Sequence, residues 1–292
     1  MKISTRLLLL ILTTSANLLA STIKMEKIDY GKSFHGLSLT AYKIHDTEAS
    51  RSDSKKAILL TEGVHGNEYN GLLNSFIDLS KKSPMALSSF SKFLKNSGVI
   101  YLIPQLNPDA VLKKSRRSIL GADLNRDFKN DRLQAQETFT FATWLDSELQ
   151  TTNAKLYLSV DYHCCGGALL SPKLSTQKNF YKKQYNKVSS LIKRHVSTNL
   201  IHSKSHDFWG KTVTGTLKDY LHNKYGSLSF TFEAKIMGTS KNTVSSHSKW
   251  WASVANHLNN SSFKKQIQAS KDQSIASSNH LLSVERQVNL AE

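Results

Sequence analysis

A single α/β domain, built on a central mixed, mostly parallel β-sheet flanked by helices, is the fold class this sequence predicts. Three observations lead there. Short continuous apolar runs of strand length recur along the chain, segments of helical periodicity lie between them, and each run ends in glycine or in polar residues. Uninterrupted apolar runs suit strands buried on both faces, the state of a sheet covered by helices.

At the N-terminus, Lys2 and Arg6 precede "LLLLILTTSANLLA", about 14 largely apolar residues with small residues at Ala16 and Ala20. That is the pattern of a signal peptide over 1–20, cleaved after either alanine, and it predicts an exported protein, periplasmic or secreted. The run is short for a membrane span, which needs about 20 residues, so no stable membrane insertion is expected. No cysteine lies near the cleavage region to carry a lipid anchor.

Next, "IDYGKSFHGLSLTAYKI" alternates apolar and polar residues around Gly31 and Gly36, which predicts a β-hairpin. "KKAILLTEG" is the first buried strand, followed by a helical pattern from Asn70 to Lys82. "GVIYLIPQLNP" is the second, and a helix from Gln134 to Gln150 carries Trp144 on its apolar face. "KLYLSVDYH" then leads to a helix over Tyr181 to Val196, and "SLSFTFEA" to a last helix in "SKWWASVANHLNN". Residues 21–262 thus form one folded domain. Residues 263–292 are rich in Ser, Gln and Lys with few large apolar residues, a polar, basic tail.

Composition narrows the function classes. Hydrophobic residues at 39% and charged residues at 21% describe a globular rather than a disordered or membrane-embedded chain. The formal charge of +17 is spread over scattered lysine pairs, with no basic stripe interleaved with aromatics and no zinc-finger or nucleotide-loop pattern. Nucleic acid is therefore not an expected partner, and the charge reads as a solvated surface suited to an anionic environment. The two cysteines, Cys164 and Cys165, are adjacent and cannot build a disulfide framework. They read as two small residues packed behind a site.

Ligands of open α/β sheets bind outside the carboxyl ends of the strands. Here those ends read "EGVHGNE", "PQLNPDA", "VDYHCCGG" and "FTFEA", supplying His65, Glu68, Asn107, Asp109, Asp161, His163 and Glu233. Alone, His65 and Glu68 could be a polar turn and His163 a structural histidine. Together they give two imidazoles and a carboxylate with a fourth position left for water, the ligand set of a catalytic zinc. The stretch from Asn107 to Phe128 adds Arg116, Asn125 and Arg126. Guanidinium groups bind carboxylates in a two-pronged geometry and stabilise oxyanions; Lys114 and Arg117 read as solvated surface.

These motifs carry a family resemblance. "YGKSFHG", "HGNE", "NPDA" followed by arginine and "GADLNRDF", "DYH" and "FTFEA", in that order over residues 29 to about 258, resemble the zinc metallocarboxypeptidases. The resemblance implies a zinc carboxypeptidase-like fold and one Zn2+ ion held by His65, Glu68 and His163. It implies Glu233 as general base and acid, Arg116 polarising the scissile carbonyl, and Asn125 with Arg126 holding the substrate's free carboxylate. Aspartoacylases and succinylglutamate desuccinylases, which hydrolyse N-acyl amino acids, share "HGNE" and parts of the later motifs. Arg116 stands ten positions before Arg126, the carboxypeptidase spacing. "TVTGTLKDYLHNKYGSLSFTFEA" is similar to the segment before the catalytic glutamate in murein peptide amidases, which cut between D-glutamate and meso-diaminopimelate.

The expected substrate is accordingly a peptide or muropeptide, with Thr214 and Thr216 as candidate contacts or simple turn residues. Three positions depart from the family pattern: Ala110 where glycine is usual, Ser118 and Asp127 where asparagine is. No tyrosine stands near Phe208, Trp209 and Gly210, where digestive carboxypeptidases carry a mobile one.

Overall fold

Along Lys55–Glu62 successive side chains serve two different cores: Ile58 and Leu60 join one apolar cluster, Ala57 and Leu59 the other. This two-residue alternation within a wholly apolar run is what a central strand with helices on both faces requires. The computed structural model describes residues 22–49, 54–129, 133–172, 178–197, 201–204, 210, 213–235 and 239–259. The leader expected over 1–20 and the tail expected over 263–292 lie outside the described residues, as do Phe208 and Trp209.

Eight strands form one sheet among the described residues: β1 (Ile23–Lys32), β2 (Ser38–Asp46), β3 (Lys55–Glu62), β4 (Gly98–Ile103), β5 (Ala154–Cys164), β6 (Ala168–Ser171), β7 (Ile201–Lys204) and β8 (Leu228–Ala234). Their order is β1-β2-β4-β3-β5-β8-β6-β7. The central four, β4-β3-β5-β8, run parallel, while β1-β2, β2-β4 and β6-β8 pair antiparallel. The mixed, mostly parallel sheet is as the sequence predicts, and β1-β2 is the hairpin read from its alternating residues.

Among the described residues seven helices accompany these strands: α1 (Leu72–Lys82), α2 (Ser91–Lys95), α3 (Pro108–Lys113), α4 (Gln136–Thr151), α5 (Lys178–His195), α6 (Leu217–Tyr225) and α7 (Lys241–Leu258). Leu72, Phe76 and Ile77 of α1, Val188 and Ile192 of α5, and Trp250 and Trp251 of α7 fill the core on one face. Phe141 and Leu145 of α4 and Leu217 and Tyr220 of α6 fill the other. Trp144 flanks that second core and stacks on Tyr30, with ring centroids 4.8 Å apart.

Several elements escaped the sequence reading, the short helices α2 and α3 among them. Strands β6 and β7 have four residues each, too few to display a period. Helix α6 is nine residues long, and its signals are caps rather than an apolar stripe: Thr216 accepts the Asp219 N–H at one end, and Gly226 (φ 65°) closes the other in the left-handed conformation.

Candidate metal centre

Parallel packing of β3, β5 and β8 brings their carboxyl ends to one edge, and the register makes the meeting specific. Thr61 pairs with Asp161 across β3-β5, and His163 pairs with Glu233 across β5-β8. The Thr61 hydroxyl donates to Asp161 Oδ1 at 2.7 Å, tying the two strand ends together.

Beyond β3 the chain turns at Gly63 (φ 75°) into a short 3-10 turn, Gly66–Glu68, that carries His65 and Glu68. Gly66 N–H donates to the Ser115 carbonyl at 2.8 Å, and a Cβ at Gly66 would collide with the Ala110 backbone, so only glycine lets this turn lie against α3. Its far end is fixed from within. Glu62, fully buried, accepts the N–H groups of Asn70, Gly71 and Leu72 on Oε1 (3.0, 2.7 and 3.3 Å) and that of Leu73 on Oε2 (3.0 Å). These are donors that the start of α1 leaves without intrahelical partners. Burial pushes the Glu62 carboxyl up and the four donors oppose that shift. Glu62→Gln, of equal size, turns an amide NH2 onto backbone donors. It is expected to lower unfolding stability by about 2–3 kcal/mol in denaturant titration, the scale of a hydrogen-bonded charge that loses its partners.

The predicted ligands converge. One donor atom from each of His65, Glu68 and His163 lies within 4.8 Å of the others, with His65 Nδ1 3.1 Å from Glu68 Oε1 and His163 Nδ1 2.8 Å from Glu68 Oε2. Both imidazoles therefore turn the same nitrogen inward. Their other nitrogens are engaged: His65 Nε2 lies 2.8 Å from Asp123 Oδ1, and His163 Nε2 lies 2.6 Å from Asp161 Oδ2. Each histidine thus sits between the cluster and an orienting carboxylate, the usual surroundings of a metal-binding imidazole.

Charged groups of both signs surround the cluster, Arg116 pairing with Glu68 and Asp123. Glu68, Asp123, Asp161 and Glu233 crowd around two imidazoles. Burial raises the Glu68 pKa, but hydrogen bonds from His163 and His65 overcome it and hold the carboxyl far below its ordinary range. Asp123 is likewise held low by His65 and Arg116 against burial. Burial opposes charge on His163, yet Asp161 and Glu68 push its pKa well up. The donor set, two imidazoles and one carboxylate, fits zinc.

The remaining predicted residues divide. Arg116 Nη1 donates to Glu68 Oε1 at 2.7 Å, and its Nε and Nη2 donate to Asp123 Oδ2 at 3.2 and 3.0 Å. Asn125 is buried, with Nδ2 3.3 Å from His163 Nε2 and Oδ1 accepting the Leu217 N–H at 2.9 Å. Arg126 Nη1 donates to the Asn125 carbonyl at 2.6 Å. All three line one cavity of about 240 Å³ with His65, Glu68, His163 and Glu233. Burial pushes the Glu233 carboxyl above its ordinary range, and His163 opposes the shift.

Other sequence candidates are structural. Asn107 caps α3 by accepting the Ala110 N–H at 3.2 Å, and Asp109 Oδ2 accepts the His35 N–H at 3.1 Å. Thr216 is the N-cap of α6 and also lines the cavity, whereas Thr214 is exposed. Cys164 and Cys165 are bonded to each other, and Cys164 lines the cavity rather than lying behind it. Asp127, where the family pattern has asparagine, accepts from Gln134 N–H, Ala135 N–H and the Thr138 hydroxyl, bracing the start of α4. Missed altogether were Glu62, Asp123 and Lys218. Asp123 stands 58 positions from the histidine it orients, and a separation of that kind has no periodic signature.

A family model described as zinc carboxypeptidase matches residues 16–248. Carboxypeptidase SOL1 of Arabidopsis thaliana is 30% identical over 155 residues, 48% of this chain and 29% of that protein. Cytosolic carboxypeptidase 1 of Danio rerio is 32% identical over 122 residues, 40% of this chain and 10% of that protein. The chain thus spans less than a third of the length of these curated relatives. Bovine thrombin-activatable fibrinolysis inhibitor, solved with tick carboxypeptidase inhibitor, superposes with a TM-score of 0.61 at 17% identity, over 88% of this chain and 97% of that one. At that identity the likeness is one of fold.

Proposed function

This chain belongs to the zinc carboxypeptidase family, and from that premise we propose that it hydrolyses the amide bond before a residue bearing a free carboxylate. The carrying observation is that His65 and His163 both turn Nδ1 toward Glu68 while Asp123 and Asp161 hold their Nε2 atoms.

His65 Nδ1, His163 Nδ1 and the Glu68 carboxylate would hold the zinc. Bound there, the ion would supply a Lewis acid for the scissile carbonyl and lower the pKa of a water. Glu233, beside His163 on the next strand, takes the proton of the attacking water and gives it to the leaving amine; its raised pKa suits both halves of that task. Arg116 meets the negative charge developing on the carbonyl oxygen. Asp123 and Asp161 keep both imidazoles oriented.

Arg126 receives the substrate's terminal carboxylate, and Asn125 fixes the loop that presents it by accepting the Leu217 N–H. Arg126→Ala is expected to lower kcat/KM for peptides with a free terminus by on the order of 100-fold, the kinetic equivalent of losing a charged hydrogen bond. Peptides with an amidated terminus should change little between the two proteins. Equal losses on both substrates would remove Arg126 from carboxylate recognition.

The test is release of the C-terminal residue from hippuryl-type peptides, from muropeptides and from N-acyl amino acids, with and without chelator. Turnover of N-acyl amino acids alone would overturn the carboxypeptidase reading in favour of an acylase. Turnover insensitive to chelator would overturn the zinc chemistry. A chain that binds muropeptides and cuts nothing would be a wall-binding protein.

A narrower reading is a murein peptide, cut between D-glutamate and meso-diaminopimelate by an exported enzyme. The leader-like residues 1–20 and the segment from Thr212 to Glu233 support it. Muropeptides processed faster than linear α-peptides are its expected result.

A further inference from the structure

Four of the seven exposed large apolar side chains among the described residues gather around one turn. Phe34 and Leu37, 47% and 37% exposed, lie in the turn between β1 and β2. Leu112 of α3 is 75% exposed and Phe139 of α4 is 59% exposed. Hydrogen bonds tie the three segments together. His35 N–H donates at 3.1 Å to Oδ2 of Asp109, one helical turn before Leu112. On the other side Phe34 N–H donates to Glu137 Oε1 at 3.0 Å. Gln136, one turn before Phe139, donates from Nε2 to the Lys32 carbonyl at 2.8 Å.

The turn is also braced from within. Ser33 N–H donates to the Leu37 carbonyl at 2.8 Å, Gly36 N–H to the Ser33 carbonyl at 2.9 Å, and Leu37 N–H to Ser33 Oγ at 3.0 Å. Phe34 is thus displayed on a preorganised tip, which lowers the ordering cost of binding. Exposed apolar groups gathered in this way mark interaction surfaces.

Surface charge on these segments has one sign. Over 32–37, 108–114 and 136–139 the acids are Asp109 and Glu137, both buried and both accepting N–H groups of the turn. The exposed charges are Lys32, Lys113 and Lys114. Asp29, the nearest exposed acid along β1, pairs with Lys27 at 3.2 Å. Apolar side chains among lysines, with the acids turned inward, suit an anionic bilayer: the apolar groups enter the headgroup boundary and the ammonium groups meet lipid phosphates. A second copy of this chain fits less well. A symmetric contact through this face would set the three lysines against their own mates on a chain of net charge +17.

We infer that the β1-β2 turn, with the exposed side chains of α3 and α4 beside it, binds anionic lipid bilayers, Phe34 and Leu112 entering the headgroup boundary. None of the four apolar residues lines the metal-site cavity, but α3 packs against Gly66 of the metal-binding turn. A docked enzyme therefore holds its cavity close to the lipid surface.

The full chain is mixed with phosphatidylcholine vesicles with or without phosphatidylglycerol, and bound protein is measured by sedimentation. Binding is expected to require phosphatidylglycerol and to weaken with salt. Phe34→Ser with Leu112→Ser should lower the partition coefficient by on the order of 10–100-fold, because two apolar side chains lose their burial. Lys113→Gln with Lys114→Gln should lower it by on the order of 10-fold. Leu79→Ser with Met85→Ser, at exposed apolar positions outside these segments, should leave it unchanged. Every protein compared carries residues 1–20 and 263–292, so differences among them belong to the substituted positions.

Phe34→Trp tests insertion without relying on a loss. Lipids brominated on the acyl chains should quench its emission well beyond the quenching of the unaltered chain's four tryptophans. Equal quenching of the two proteins would overturn the inference. So would equal binding to both vesicle types, or Phe34→Ser with Leu112→Ser binding as tightly as the unaltered chain. Self-association that disappears in that double variant, without vesicle binding by the unaltered chain, would assign the face to a second copy and overturn the lipid reading.

Discussion

Glu233→Gln is expected to keep one zinc per chain and to lose turnover by on the order of 10⁴-fold, the upper range for a general acid-base residue. The substitution is nearly isosteric, so β8 and its pairing with β5 should persist. Glutamine can neither accept the proton of the attacking water nor return one to the leaving amine. Glu233 is not one of the three clustered donors, so zinc content should not follow activity down. Its position makes the effect specific: it sits in register with His163 and lines the same cavity, and burial lifts its pKa toward a range useful for both accepting and donating a proton. Activity within tenfold of the unaltered protein would remove Glu233 from proton transfer. Loss of zinc alongside activity would make it a ligand instead.

The second large effect is on the metal. His65→Ala deletes one of three donors and also leaves the Asp123 carboxylate without the ring it orients, 2.8 Å away. Substitution of partners that merely orient a ligand costs about 10–100-fold in metal affinity, so loss of the ligand itself should exceed 100-fold. Purified His65→Ala should then carry far less than one zinc per chain, and Asp123→Ala should fall between it and the unaltered protein. That ordering distinguishes a ligand from its support. Full zinc content in His65→Ala would remove His65 from the site, and a greater loss in Asp123→Ala than in His65→Ala would reverse the roles.

Much of the site was legible because sheet architecture converts strand ends into neighbours. "HGNE", "DYH" and "FTFEA" each close an apolar run, so a reader who pairs those runs in parallel already brings His65, Glu68, His163 and Glu233 to one edge. The same logic misled at Asn107 and Asp109. They also follow a strand, but they stabilise the start of α3 and the β1-β2 connection, since polar residues serve capping as readily as catalysis. Glu62, Asp123 and Lys218 were invisible for a different reason. Each acts through contacts that only the folded chain defines: Glu62 with four successive backbone N–H groups, Asp123 with a distant histidine, Lys218 with the interior of the cavity. Helix α6 was missed because its boundaries are written in caps and its nine residues are too few for a firm period.

The central claim is the identity of the coordinating atoms. Because Asp123 and Asp161 occupy both Nε2 atoms, zinc is expected to bind through His65 Nδ1 and His163 Nδ1, together with Glu68. A crystal structure of the zinc-loaded protein, with the ion located by anomalous scattering, measures this directly. The account predicts one zinc with both Nδ1 atoms at about 2.0–2.1 Å and a Glu68 oxygen at about 2.0–2.2 Å. Zinc bound through either Nε2, or lying outside the group formed by His65, Glu68 and His163, would contradict it.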